Sequence, residues 1–110
     1  MQDEMTYKIL KSIEENPRQS QRQLSKSMGV SLGKLNYCLR ALVDKGLIKA
    51  NSFRANPNKA NYLYLLTPQG VDEKARVTLR FLRRKIEEYE TIKLEIAHLQ
   101  QEAQSSKIGD

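Results

Sequence analysis

Residues 20–47 read SQRQLSKSMGVSLGKLNYCLRALVDKGL, and the punctuation inside this stretch decides the fold. Ser20 followed three residues later by Gln23 is a capping box, in which each side chain satisfies the other residue's free backbone N–H. Leu24 and Met28 lie four apart, so a short helix buries one face. Gly29 suits the left-handed residue that ends such a helix. Ser31 is a fresh N-cap two residues later. Leu35, Leu39, Leu42 and Val43 then mark the inner stripe of another helix, which runs to about Lys45 and stops at Gly46. Two helices joined by Gly29-Val30-Ser31 form a helix-turn-helix, whose turn is a few residues long and often contains glycine.

The flanks extend this unit. Upstream, Met5, Ile9, Leu10 and Ile13 have helical spacing, which predicts a helix over 3–16 with Asp3 as its cap. Pro17 cannot continue it and biases Asn16 away from helical angles. Downstream, 47–53 and 62–66 are rich in β-branched, aromatic and aliphatic residues and predict two strands. Between them, residues 54–61 supply Asn and Pro for a turn and Arg54 and Lys59 for charge. That is a hairpin with a basic tip, a wing. Thr67-Pro68 opens a last helix, with Thr67 as N-cap and Pro68 at the first helical position, where its missing N–H costs nothing. Gly70 reads as a small blemish in its first turn. No later Pro or Gly intervenes until Gly109, so the helix reaches about Ala103, roughly 54 Å at ~1.5 Å per residue. The expected fold class is mainly α with a small β-hairpin wing (α+β): a winged helix-turn-helix over 1–67, a long coiled-coil dimerisation helix over 68–104 and a disordered tail over 105–110.

The charge is concentrated. The chain has 110 residues and a formal net charge of +6. Residues 16–70 hold nine bases and one acid, Asp44, a net of +8; residues 1–15 carry −2 and residues 71–110 are neutral. Such a segment is an electrostatic footprint for a polyanion. Few aromatic residues argue against a surface built to stack single-stranded bases. No run of about 18 apolar residues predicts a membrane span, and the start, MQDEMTYK, lacks the pattern of a secretory signal. One cysteine excludes an internal disulfide, and Cys38 with His98 falls short of the roughly four ligands of structural zinc. No nucleophile–base or metal constellation is present, so no enzyme, cofactor or metal is expected. The expected setting is the cytoplasm.

From Met5 to Gly70 the chain resembles the MarR-like winged-helix transcription regulators of bacteria. The residues that carry the likeness are Gln23-Leu24-Ser25, then Met28-Gly29-Val30-Ser31. The block from Leu39 through Leu42-Val43-Asp44-Lys45-Gly46-Leu47-Ile48 and the block Leu66-Thr67-Pro68-Gln69-Gly70 complete it. Size and the long last helix look most like the compact exopolysaccharide-associated subgroup. Larger MarR proteins dimerise through an extra N-terminal helix and two C-terminal ones, and many bind phenolic effectors between those parts and the DNA-binding domain. The resemblance implies a repressor, with the short lead-in here arguing against that pocket.

The partner so implied is double-stranded DNA, whose major groove admits one helix. With Leu35, Leu39 and Leu42 inward, the outer face of the recognition helix carries Gly33, Lys34, Asn36, Tyr37 and Arg40, after Ser31. Arg40 fits guanine O6 and N7, and Asn36 fits adenine N6 and N7. Tyr37 offers a hydroxyl to phosphate or a ring to a thymine methyl, Lys34 a charge to base or phosphate, and Gly33 close backbone approach. Ser20, Gln21 and Arg22 open the preceding helix and suit a phosphate. On the wing, Arg54, Asn56, Asn58 and Lys59 would reach the minor groove or its phosphates. Each of these side chains has a blander alternative as a solvated surface residue. Cys38 reads as a small core residue, with a redox-sensing thiol as the alternative. His98 reads as solvated rather than as a pH switch.

The last helix carries Leu79, Leu82, Ile86 and Tyr89 at heptad spacing, then Ile92, Ile96 and Leu99 after a drift in register. A stripe this long needs a partner helix, and a second copy is the simplest supply. Bases precede Ile86 and acids follow it, which favours an antiparallel homodimer, each exposed pair contributing ~0.3–0.5 kcal/mol. The alternative function is a protein–protein interaction module that uses this helix on a different protein, since fold does not fix function. Structured RNA is a third reading, disfavoured by its narrow A-form major groove.

Overall fold

A computed structural model describes residues 2–51 and 63–106. The elements run α1 (Asp3–Glu15), α2 (Gln21–Met28), α3 (Leu32–Asp44), β1 (Ile48–Asn51), β2 (Leu63–Leu66) and α4 (Pro68–Ser105). The expected mainly helical chain with an antiparallel hairpin and a long last helix is what forms. The strand residues expected at 52, 53 and 62, the hairpin tip over 54–61 and the tail over 107–110 lie outside the described residues.

Helix ends follow local chemistry. The Ser20 Oγ accepts the Gln23 N–H at 3.1 Å, and the Gln23 side chain accepts the Ser20 N–H at 2.9 Å, completing the capping box of α2. The Ser31 Oγ caps α3 by accepting the Lys34 N–H at 3.1 Å. Both helices then end in paired Schellman bonds. The Gly29 N–H reaches Lys26 O and the Val30 N–H reaches Ser25 O; likewise Gly46 reaches Val43 O and Leu47 reaches Leu42 O. The two glycines take φ of +68° and +74°, the left-handed region where a Cβ is penalised. One cap differs from expectation. Asp3 is the first residue of α1, and Gln2 holds the cap position without a side-chain bond. The helix is instead fastened by Thr6, whose hydroxyl donates to Gln2 O at 3.2 Å, so a buried polar residue is satisfied locally.

The chain divides into two compact units, one through Thr78 and one from Leu79. The first has a core of Ile9, Leu10 and Ile13 from α1, Leu24 from α2, Leu35, Cys38, Leu39 and Leu42 from α3, Ile48 from β1 and Tyr64 from β2. Met5 and Met28 are only partly buried against it. Val43, expected inside, is 39% exposed. The positions i, i+3, i+4 and i+7 from Leu35 are Cys38, Leu39 and Leu42, and they fill the buried stripe; Val43 lies one step beyond it.

The hairpin and α4 are joined through a small polar knot. The strands pair antiparallel with Ile48 opposite Leu66 and Ala50 opposite Tyr64. The next backbone pair, Thr67 N–H to Leu47 O at 3.0 Å, extends the ladder. The Thr67 hydroxyl donates to Gly46 O and accepts the Gly70 N–H at 3.0 Å, so it caps α4 while fixing the exit of α3. Gly70 is no blemish. A Cβ there would stand 1.9 Å from Leu47 O and 2.9 Å from Leu47 C, so only glycine lets the first turn of α4 sit on this backbone. Further along, Val77 is buried, and Lys74 Nζ lies 2.6 Å from Glu14 Oε1 on α1.

The second unit is the continuation of α4. The whole helix has 38 residues, about 57 Å at ~1.5 Å per residue, and it extends two residues past the Ala103 estimate. Leu79, Leu82, Ile86, Tyr89, Ile92, Ile96 and Leu99 are each 50–61% exposed.

Gly70→Ala should lower stability by about 1–3 kcal/mol, the usual range for forcing extra volume into a packed site, read as a shift in the urea midpoint. Gly33→Ala meets nothing within 4 Å and should be neutral or stabilising by up to about 1 kcal/mol. Equal losses for the two would contradict the close-approach account. Ser20→Ala should cost about 1 kcal/mol through loss of the box, and an unchanged midpoint would show that the cap contributes nothing.

Candidate nucleic-acid interface

The buried stripe of α3 fixes what its opposite face can offer. Because Leu35, Leu39 and Leu42 are fully buried, Lys34, Tyr37 and Arg40 turn outward, and all three are exposed. Tyr37 is 75% exposed, a high value for an aromatic ring. Gly33 sits in the first turn of α3, where a Cβ would meet open space, and Ser31 is engaged in the cap. Arg22 is exposed in the first turn of α2. Ser20 is occupied by the capping box, which leaves the amides of Gln21 and Arg22 as the donors at that end.

Two of the expected contact residues are placed differently. Asn36 and Gln21 are half-buried rather than free. The Asn36 Nδ2 donates to Gln21 Oε1 at 3.2 Å, and the Gln21 Nε2 donates to the Tyr64 hydroxyl at 2.8 Å. Tyr64 itself is 8% exposed. A polar relay therefore runs from β2 through α2 to α3. It borders a cleft of about 600 Å³ whose lining includes Gln21, Asn36, Arg40, Asp44, Ala50 and Tyr64. Sequence reading took Tyr64 only as a strand residue. One signal pointed further: Tyr64 shares a face of its strand with Leu66, and a buried tyrosine needs a partner for its hydroxyl.

Arg54, Asn56, Asn58 and Lys59, the expected wing contacts, lie outside the described residues. The one acid of the basic segment, Asp44, is exposed at the last position of α3. Cys38 is a free, buried thiol in the core cluster, as the core reading expects. His98 is exposed on α4. Among the described residues no group of three or more His, Cys, Asp or Glu could hold a metal ion, and no helix is long and apolar enough to cross a membrane.

Residues 2–49 match a family model described as winged helix-turn-helix DNA-binding. The HTH-type transcriptional regulator LrpA of Pyrococcus horikoshii is 29% identical over 93 residues, which cover 84% of this chain. The chain spans 64% of that relative's length. Among solved structures, the PcaV transcriptional regulator of Streptomyces coelicolor superposes with a TM-score of 0.64 at 18% identity, covering 91% of this chain and 78% of that one. MarR of E. coli superposes with a TM-score of 0.60 at 25% identity, covering 86% and 76%; a variant of it is solved in complex with operator DNA, at 25% identity and a TM-score of 0.58. These proteins carry the names of transcription regulators, not of enzymes. The fold is thus a winged helix-turn-helix, residues 2–49 are similar to a family of DNA-binding domains of that description, and the structural neighbours of the chain include MarR.

Proposed function

We propose that this chain is a sequence-specific, double-stranded DNA-binding transcription regulator that acts as a homodimer, most simply as a repressor that excludes other proteins from its operator. The observation that carries the reading is the outward face of α3. Lys34, Tyr37 and Arg40 are exposed together on one short helix, within a segment holding nine bases and one acid. A protein-binding face would be depleted in such charge. A structural neighbour, the MarR variant, is solved in complex with operator DNA, which supports the reading.

In this reading the recognition helix, about 32–45, enters the major groove. Arg40 pairs with a guanine edge and Asn36 with an adenine edge. Lys34 and Tyr37 touch phosphate or groove wall, and Arg22 with the amides at the start of α2 holds a phosphate. Arg54, Asn56, Asn58 and Lys59 of the wing lie over the minor groove or its backbone. Placement in the compact exopolysaccharide-associated subgroup of bacterial MarR-like regulators rests on the sequence resemblance.

The dimer reading rests on α4. Leu79, Leu82, Ile86, Tyr89, Ile92, Ile96 and Leu99 are each at least half exposed and spaced for a coiled-coil seam. The half before Ile86 is basic and the half after it acidic, so an antiparallel pair sets opposite signs against each other.

Selection from a random duplex pool tests the DNA reading directly. A two-fold or near two-fold consensus is expected, with binding that falls steeply with salt at a log–log slope of about −0.9 per phosphate contacted. A flat salt response on the selected duplex, or no enrichment, would overturn it. Reversing Glu87, Glu88 and Glu90 to Lys together should abolish the dimer in sedimentation at low salt. An unchanged dimer would remove charge as the source of orientation.

A further inference from the structure

We propose that Tyr64 and Gln21 are positioning residues for base selection by Asn36, so that strand β2 helps to set sequence preference without touching a base. This rests on the DNA-binding reading above. It goes beyond it by giving Gln21 a role other than phosphate contact and by adding a residue from outside the helix-turn-helix.

The starting point is the hydrogen-bond inventory of three side chains. A carboxamide has one oxygen and two N–H groups, and rotating it end over end exchanges acceptor for donor at nearly fixed shape. A free asparagine on a helix surface samples both orientations and so presents two different patterns to a base edge. Asn36 is not free. One of its N–H groups is taken by Gln21 Oε1. Its oxygen and its second N–H remain, and this acceptor-and-donor pair is the one that matches adenine N6 and N7.

Gln21 alone is a weak anchor, because its long side chain can swing away from α3. Tyr64 holds it in place. The Gln21 Nε2 donates to a phenol oxygen at 2.8 Å, and that phenol belongs to a buried ring in the core cluster. The ring is seated on β2 opposite Ala50, and Gln21 is seated by the capping box at the start of α2. The third member therefore hangs from two fixed elements. Half-burial of Gln21 and Asn36 limits competition from water, which would otherwise offer both amides other partners.

Tyr64→Phe deletes the phenol oxygen and keeps the ring. The Gln21 side chain then loses its anchor, and Asn36 loses the partner that held it. The base position read by Asn36 loses selectivity while the phosphate contacts and the Arg40 position are untouched.

The test begins from the consensus that the full-length wild-type chain selects. The Asn36→Ala variant identifies the base position that depends on Asn36. Equilibrium binding is then measured on the consensus duplex and on the three single-base changes at that position. Wild type, Tyr64→Phe, Gln21→Leu, Asn36→Ala and the Tyr64→Phe/Asn36→Ala double variant are compared. Tyr64→Phe and Gln21→Leu should each reduce preference at that position by about three- to tenfold, as loss of one hydrogen bond implies. Preference elsewhere and the salt slope should not move. In the Asn36→Ala background Tyr64→Phe should add nothing, which a general loss of stability would not mimic.

A uniform loss at every position, or the same further loss in the absence of Asn36, overturns the proposal while leaving DNA binding intact. So does an Asn36→Ala variant with an unaltered consensus. A wild-type chain that selects no consensus overturns the DNA-binding reading itself. Gln21→Leu approaches the relay from α2, so a folding defect in one variant still leaves the other to decide.

Discussion

The contact between the backbone of Leu47 and the first turn of α4 is the constraint on which the first unit depends. Gly70 has no side chain because Leu47 O occupies the place of its Cβ. With that approach made, Thr67 reaches Gly46 O and holds the end of α3 and the start of α4 in one hydrogen-bonded knot. The hairpin lies between these two ends, so its register is set from its base: Thr67 bonds Leu47, Leu66 faces Ile48, and Tyr64 faces Ala50. Sliding the register by one residue would turn Tyr64 away from the core. The polar relay to Asn36 is therefore a distant product of a glycine that touches none of its members.

Much of the architecture was legible because it is encoded within short windows. Ser20 with Gln23, Gly29, Ser31 and Gly46 mark helix boundaries through bonds spanning three to five residues. The ends predicted from them fall within about one residue of those formed. Hydrophobic spacing likewise located most of the core. It failed at Val43, where an apolar residue lies at the margin of the buried stripe and periodicity alone cannot rank it against Cys38. The cap at Asp3 failed for a related reason: an acidic residue suits the first turn of a helix as well as its cap.

What was illegible is what spans long separations. Gln21 to Asn36 is 15 residues and Gln21 to Tyr64 is 43. No local pattern announces such a bond, so Asn36 and Gln21 read as independent surface amides when the first donates a hydrogen bond to the second. Gly70 looked like a cost to the helix for the same reason. Its justification is a carbonyl 23 positions earlier in the chain, and propensity scales see only the helix in which a glycine sits.

The relay also bears on how far α3 can be treated as a cassette. Residues 32–44 carry most of the outward polar side chains, and transplanting them onto another helix-turn-helix would seem to carry their chemistry along. Yet Asn36 is bonded to an amide on α2, and that amide is bonded to a phenol on β2. A graft would move the amino acids and leave the tether behind. On the proposed reading, an exchange of binding preference between this chain and a relative moves Gln21 and Tyr64 with the helix.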